Sequence, residues 1–506
     1  MKRKKELLVI LSSLLVIVLS VSVAYFTTKI LGTGKDISVT SADLKVIFTS
    51  GSGTINGTNI EPGWTSGETT FTVKNESNGT YKYNIIIKDL VNTFKTNGFL
   101  VYKITSADGG YNMTDFEDVP KSKTSKDTIL AYNISIDKGA THTYTVEYKY
   151  LESTEVDQSA DMGKTLTGKI FITKGTERPT LANQLLNDNP VVSTRTDFST
   201  PFTTNTANTL YKATENGTDV YYFAGKDTES APINNWVKFG KNSSNQDLYW
   251  RIIRTNSDGG VRLLYHGTNT TATDAYIGKS AFNANLDSPK YVGYMYGDSD
   301  TTPEEARTNI NDSTIKAYID NWYENNMTSY TKYLSTTAVY CNDRELASGA
   351  TYSTTERFDF KAKERLNTNK TPTYDCTNNN DKFTVDASSG NGKLTYPIAL
   401  MTADEIAYAG GVAYTTAPMW YYTNSSLESS TDRTYWWSLS PVRWYGSIAF
   451  SWIVFGSDDP GFLGNAYIKD SDGVRPAISL KACVKYSTGN GAPETPYEIV
   501  ETSSGC

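Results

Sequence analysis

The sequence predicts a β-rich, multidomain protein. Three observations lead there: length, residue usage, and the spacing of turn signals. At 506 residues the chain exceeds one typical domain. Its hydrophobic content of 38% draws heavily on 35 tyrosines, and abundant Thr, Ser, Asn and Tyr favour strands and turns over helical bundles. A net charge of −7 leaves no basic footprint for nucleic acid.

The first element, residues 1–34, opens with the cations of "MKRKK" and continues as an apolar run from Leu7 to about Tyr25. Lys and Arg stay on the cytoplasmic side, so this order sends the rest of the chain outward. Small residues in "VSVA" allow cleavage after Ala24. The run is also close to the ~20 apolar residues that span a bilayer, so a signal peptide and a single-pass membrane anchor both fit. Either way an extracellular, cell-surface or membrane-anchored body is expected.

Residues 36–174 carry seven short β-branched or aromatic segments: 43–48, 69–75, 81–89, 99–105, 131–137, 141–150 and 165–173. Turn signals such as "EPGW", "NESNGT" and "DKGA" separate them. This is the pattern of an antiparallel, Ig-like β-sandwich. Residues 175–205 read as a linker holding one short helix between Pro179 and Pro190, with Leu181, Leu185 and Leu186 on one side.

From 206 to 506 the texture becomes α+β. Strands are expected at 218–225, 234–240, 247–255 and 259–267. A helix is expected over 311–327, capped by Asp312 or Ser313, with Ile315, Tyr318, Ile319 and Trp322 as its apolar stripe. A second, 401–411, has the capping box Thr402 to Glu405 and the stop Gly410-Gly411. Both helices are read as core.

The four cysteines, Cys341, Cys376, Cys483 and Cys506, form no CxxC pair, which disfavours zinc. An oxidising exterior permits two disulfides: Cys341 with Cys376, and Cys483 with Cys506 pinning the last segment. Buried free thiols are the alternative.

The aromatic-rich stretch 443–472 lies between "WWSLSP" and "GVRPAISL". Ala449, Val454, Leu463 and Ile468 are expected to point inward, and Arg475 to form a hydrogen-bonded corner. Trp444, Tyr445, Phe450, Trp452, Phe455, Phe462 and Tyr467 then form a candidate ligand-binding face. Ser447, Asp458, Asp459, Asn465, Lys469 and Asp470 supply adaptable polar contacts. Aromatics with Ser, Gly, Asp and Asn are the composition of a binding surface. A second small core under 481–506 is the competing reading.

Two resemblances sharpen these expectations. "AYFTT", "IEPGW…FTVKN" and "DQSADMGKTLTGKIFIT" resemble exported β-sandwich proteins of Gram-positive bacteria, typified by camelysin and biofilm-matrix fibres, over roughly 25–174. This implies a stalk or assembly module able to form homo-oligomers; no protease constellation accompanies it. "LYWRIIRTNSDGGVRLLY", "STIKAYIDNWY", "LTYPIALMTADEIAYAGG", "WWSLSP" and "GVRPAISL" resemble bacterial surface proteins related to the variable proteins of diversity-generating retroelements, over about 206–500. That resemblance implies a C-type-lectin-like fold. In that family template adenines are mutagenised, and between 443 and 472 only Trp444, Trp452 and Lys469 fall outside the residue set so reachable.

The expected function is therefore display of an aromatic-rich face to an extracellular macromolecular ligand, with the membrane as second partner if the N-terminal helix is retained. A structural subunit of a matrix or pseudopilus-like fibre is the alternative, and an exported hydrolase is third. No enzyme activity, cofactor or metal is expected. His142 and His266 lie in different domains, and no G-x-S-x-G, P-loop, Rossmann or H-E-x-x-H pattern occurs. Asp298/Asp300 and Asp458/Asp459 sit in turns, where aspartate is common. The EPN, QPD and WND signatures of calcium-dependent sugar sites are absent.

Overall fold

The computed structural model describes the backbone of 37–41 and 44–50, and residues 60–203, 209–227, 232–270, 275–417, 435–456 and 461–506. The chain divides into Met1–Arg178 and Pro179–Cys506. The expected N-terminal signal or anchor lies outside the described residues. Among those described, no helix is long and apolar enough to cross a membrane.

In the first unit all seven expected segments are strands. Leu44–Ser50, Thr69–Asn75, Thr141–Tyr150 and Leu100–Ser106 lie in one antiparallel sheet, extended by the short strands Ile37–Ser41, Trp64–Thr65 and Glu117–Asp118. Leu166–Lys174, Tyr81–Asn92 and Ser122–Ile136 form the other, also antiparallel. Side chains alternate along Thr69–Asn75 and Thr141–Tyr150, so Phe71, Val73, Tyr144, Val146 and Tyr148 point into the core. There they join Tyr83, Ile85, Ile87, Ile170 and Ile172 of the other sheet. Tyrosine serves here as an apolar body with a polar tip that needs a partner. The Tyr83 hydroxyl meets His142 Nδ1 at 2.8 Å and the Tyr144 hydroxyl at 2.5 Å, which accounts for one of the two histidines.

The segment expected as a linker belongs to the second unit from Pro179 onward. Helix Leu181–Asp188 is capped by Thr180, whose side chain accepts from the Asn183 amide. Its Leu181 and Leu185 are buried in that unit's core. Strand Val191–Thr194 then adds in parallel to Thr209–Glu215. The leucine stripe, read as a local feature of a tether, is what docks the segment.

A ten-stranded sheet is built around Asp247–Thr255, flanked by Trp236–Lys241 and Val261–Tyr265. Val261–Tyr265 continues to Pro476–Leu480 and then Ile398–Leu400. Helix Thr314–Asn326 is capped by Ser313 and buries Ile315, Ile319 and Tyr323. Helix Ala403–Ala409 has the expected capping box between Thr402 and Glu405, and Gly410 follows at φ 129°. Arg475 makes the expected corner: its Nη2 donates to the Tyr265 carbonyl and to His266 Nδ1, both at 3.1 Å.

Both disulfides form, Cys341 with Cys376 and Cys483 with Cys506. Such bridges belong to an oxidising compartment. The first closes a separation of 35 residues, worth ~3–4 kcal/mol in the chain-entropy model. The Cys341→Ser/Cys376→Ser variant should lose about that much in a denaturant melt. A melt unchanged from wild type would show that the bridge constrains nothing.

Candidate binding face

A six-stranded sheet positions the site. Arg357–Asp359 pairs with Trp436–Tyr445, which pairs with Ala449–Val454, which pairs with the edge strand Leu463–Tyr467. The register is decisive. Phe358, Trp444 and Ala449 stand opposite one another and are all buried. The next row, Asp359, Arg443, Phe450 and Tyr467, therefore points to the other face, because strand side chains alternate.

On that outward face Phe450 and Tyr467 form a tilted pair at 4.8 Å. The Arg357 guanidinium lies 5.0 Å over the Tyr445 ring. Lys363 Nζ holds Asp359 Oδ2 at 2.6 Å, while Arg443 Nε stands 3.7 Å from Asp359 Oδ1. Tyr414 enters from a distant segment. Its hydroxyl accepts from Asn465 Nδ2 at 3.0 Å and Arg443 Nη2 at 3.4 Å. A charged strip beside an aromatic strip is the result.

The structure sorts the expected site residues into three groups. Tyr445 (54% exposed) and Tyr467 (45%) project into solvent. Ser447, Lys469 and Asp470 are exposed, and Phe450 and Asn465 are half-buried beside them. Trp444 and Trp452, expected on the surface, are fully buried. Trp444 lies in the inward row. Trp452 lies in the outward row, but the Tyr414 ring covers it at 5.3 Å.

Phe455 and Phe462 are half-buried and close the far end of the strands. Their rings pack at 4.9 Å, and Tyr435 stacks on Phe455 at 4.3 Å. Gly464 makes room for them: a Cβ there would meet both rings within 2.8 Å. Asp458 and Asp459 lie outside the described residues. Ala449, Val454, Leu463 and Ile468 are all buried, but only Ala449 and Ile468 fall in the inward row. Val454 and Leu463, expected to point inward, continue the row of Phe450, Trp452 and Tyr467 and are covered there.

Sequence reading missed Arg357, Asp359, Arg443 and Tyr414. The alternation of "RFDF", residues 357–360, is a usable strand signal, with Phe358 and Phe360 buried and the charges outward. Nothing in the sequence places it beside 443–450.

At the base of the same sheet, Asp472 is 8% exposed and its Oδ2 has no hydrogen-bond partner among the described residues. Burial, reinforced by Asp470, raises its carboxyl to about 6 against the pull of Lys279. The folded state thus holds a proton that the unfolded chain releases near pH 4. Its contribution to stability is full below that pH and is lost as pH rises through 6. Asp472→Asn should stabilise at pH 7.5 by up to ~3 kcal/mol and change little at pH 3.5. Equal shifts at both pH values would rule out this electrostatic origin.

A cavity of about 20 Å³ elsewhere in the unit is lined by Arg254, Glu405, Asp343, Arg365 and Asp404. That volume is about the space of one water. Its charges are mutually paired: Arg365 bridges Asp343 and Asp404 at 2.6 Å each, and Glu405 accepts from Arg254 and Arg262. His266 does not line this cavity. That imidazole is fully buried, accepts from Arg475, and its Nε2 has no hydrogen-bond partner. Among the described residues no group of three or more His, Cys, Asp or Glu could hold a metal ion.

No family model and no curated protein matches the chain. A structural comparison finds a family 123 glycoside hydrolase from Clostridium perfringens, studied for glycolipid glycan hydrolysis. Identity is 8% and the TM-score 0.10, over 38% of this chain and 46% of that one. A likeness at that level carries no argument about fold or activity.

Proposed function

We propose that this chain is an exported, membrane-tethered binding protein whose second unit is C-type-lectin-like and presents the outward row of Arg357, Asp359, Arg443, Tyr445, Phe450 and Tyr467 to a macromolecular ligand. The first unit, an Ig-like sandwich in this reading, serves as its stalk. One observation carries the proposal: exposed Tyr445 and Tyr467 stand on a fully buried layer of Phe358, Trp444 and Ala449. Rigid aromatics on a packed base give contact area at little entropic cost. The two disulfides and the basic-then-apolar N-terminus support export.

The test is to probe the labelled chain against glycan and peptide arrays beside a Tyr445→Ala/Tyr467→Ala variant. Exposed aromatic anchors typically contribute ~2 kcal/mol or more to binding, while exposed substitutions change stability by about 0.5 kcal/mol. The variant should melt like wild type and lose the ligands that wild type retains. Ligands held equally by both proteins would place the site elsewhere.

A further inference from the structure

We infer that the ligand of this face is an extended polypeptide that adds as a strand to the edge Leu463–Tyr467. The inference rests on the binding-face reading and specifies its chemistry. In the ladder with Ala449–Val454, the Ile468 amide donates to Ala449 and the Phe455 amide to the Phe462 carbonyl. Antiparallel strands alternate between bonded and non-bonded pairs. Gly464 and Ala466 therefore bond inward, and Leu463, Asn465 and Tyr467 turn their backbone groups out from the sheet.

Two of those outward carbonyls are used: Leu463 accepts from the Tyr414 amide and Tyr467 from the Asp470 amide. The Asn465 N–H and C=O and the Tyr467 N–H have no backbone partner among the described residues. They recur at the spacing of alternate strand residues, about 6.8 Å, which is the repeat of another polypeptide.

Edges of this kind are normally guarded by proline, charge or a bulge. Here the strand reads Leu-Gly-Asn-Ala-Tyr, and its register with Ala449–Val454 is unbroken. Among the described residues the chain's own cover stops short. Ala413 bridges Leu463 in parallel, then Tyr414 adopts φ 57° and the segment folds back so that Val412 pairs with Thr415. A left-handed conformation is unfavourable for a bulky side chain, and it ends coverage one residue before Asn465 would be reached. Phe450 and Tyr467 flank the open edge, so an added strand with an apolar side chain toward them fits best.

The experiment pans phage-displayed random linear peptides on the whole exported chain and titrates the enriched peptides against wild type, Asn465→Ala and Asn465→Pro. Proline at 465 removes an outward N–H and the side-chain bond to Tyr414; Asn465→Ala loses that same bond, so the two variants should melt alike. Binding should survive Asn465→Ala and fall about tenfold or more in Asn465→Pro. With peptide bound to wild type, amide exchange should slow at Asn465 and Tyr467 and stay unchanged at Gly464 and Ala466. This readout decides the matter if the proline variant misfolds.

No enriched peptide, equal binding by Asn465→Pro, or unchanged exchange at Asn465 each overturn the inference. So does slowing of Asn465 exchange with chain concentration alone, which would assign the edge to a second copy. Glycans bound through Tyr445 and Tyr467 without the Asn465 N–H would leave the face reading standing and remove strand addition. Peptides needing that N–H yet indifferent to Tyr445→Ala/Tyr467→Ala would do the reverse.

Discussion

Trp452→Ala should destabilise the second unit by ~3–5 kcal/mol, the range for truncating a buried large aromatic. Trp452 is fully buried between its strand neighbours and the Tyr414 ring. Among the described residues its indole N–H has no hydrogen-bond partner, so the loss is one of packing. By contrast Tyr445→Ala and Tyr467→Ala, at about half exposure, should each stay within ~0.5 kcal/mol of wild type. Chemical denaturation of the three variants compares them directly. A Trp452→Ala protein as stable as wild type, with Tyr467→Ala unfolded, would mean that this row is covered at Tyr467 and open at Trp452.

Glu405→Gln is expected to cost a similar amount for a different reason. The Glu405 carboxylate accepts from Arg254 at 3.0 Å and Arg262 at 2.8 Å, and its other oxygen caps the Thr402 amide at 3.0 Å. Glutamine can keep the cap but not the charge. Removing one partner of a buried ion network leaves the rest uncompensated, at ~3–5 kcal/mol. Arg254 retains Glu215, so Arg262 bears most of the loss.

Burial alone would raise the Glu405 carboxyl, yet the guanidiniums of Arg262 and Arg254 hold it below the usual range. Its stabilising contribution is therefore present above the ordinary glutamate value and is lost as pH falls through the lowered one. Wild type should lose stability on acidification below pH 4.5 more steeply than Glu405→Gln. Parallel curves would refute the assignment.

Much of the framework was legible because local signals and packing agree there. Thr69–Asn75 alternates in sequence and in burial. Ser313 and the Thr402/Glu405 box cap the helices they announce. Arg475 beside a proline could only be buried with fixed partners. The site was legible in composition but not in depth. Register shifts between Trp437, Pro441 and Arg443 break the simple two-residue period, and the burial of Trp452 depends on Tyr414, which comes from another segment. The leucines of Leu181–Asp188 were visible as a stripe, whereas the groove that receives them is formed by residues far along the chain.

The joining of Arg357–Asp359 to Trp436–Tyr445 has an immunological consequence. Arg357–Asp359 sits inside the loop closed by Cys341 and Cys376, while its neighbours come from a separate stretch. The epitope is thus discontinuous. A synthetic peptide copying 443–472 would lack the Arg357–Tyr445 stack and the Asp359–Arg443 pair. Antisera raised against it should stain denatured blots yet fail to block the native face, and blocking antibodies should lose their target on reduction.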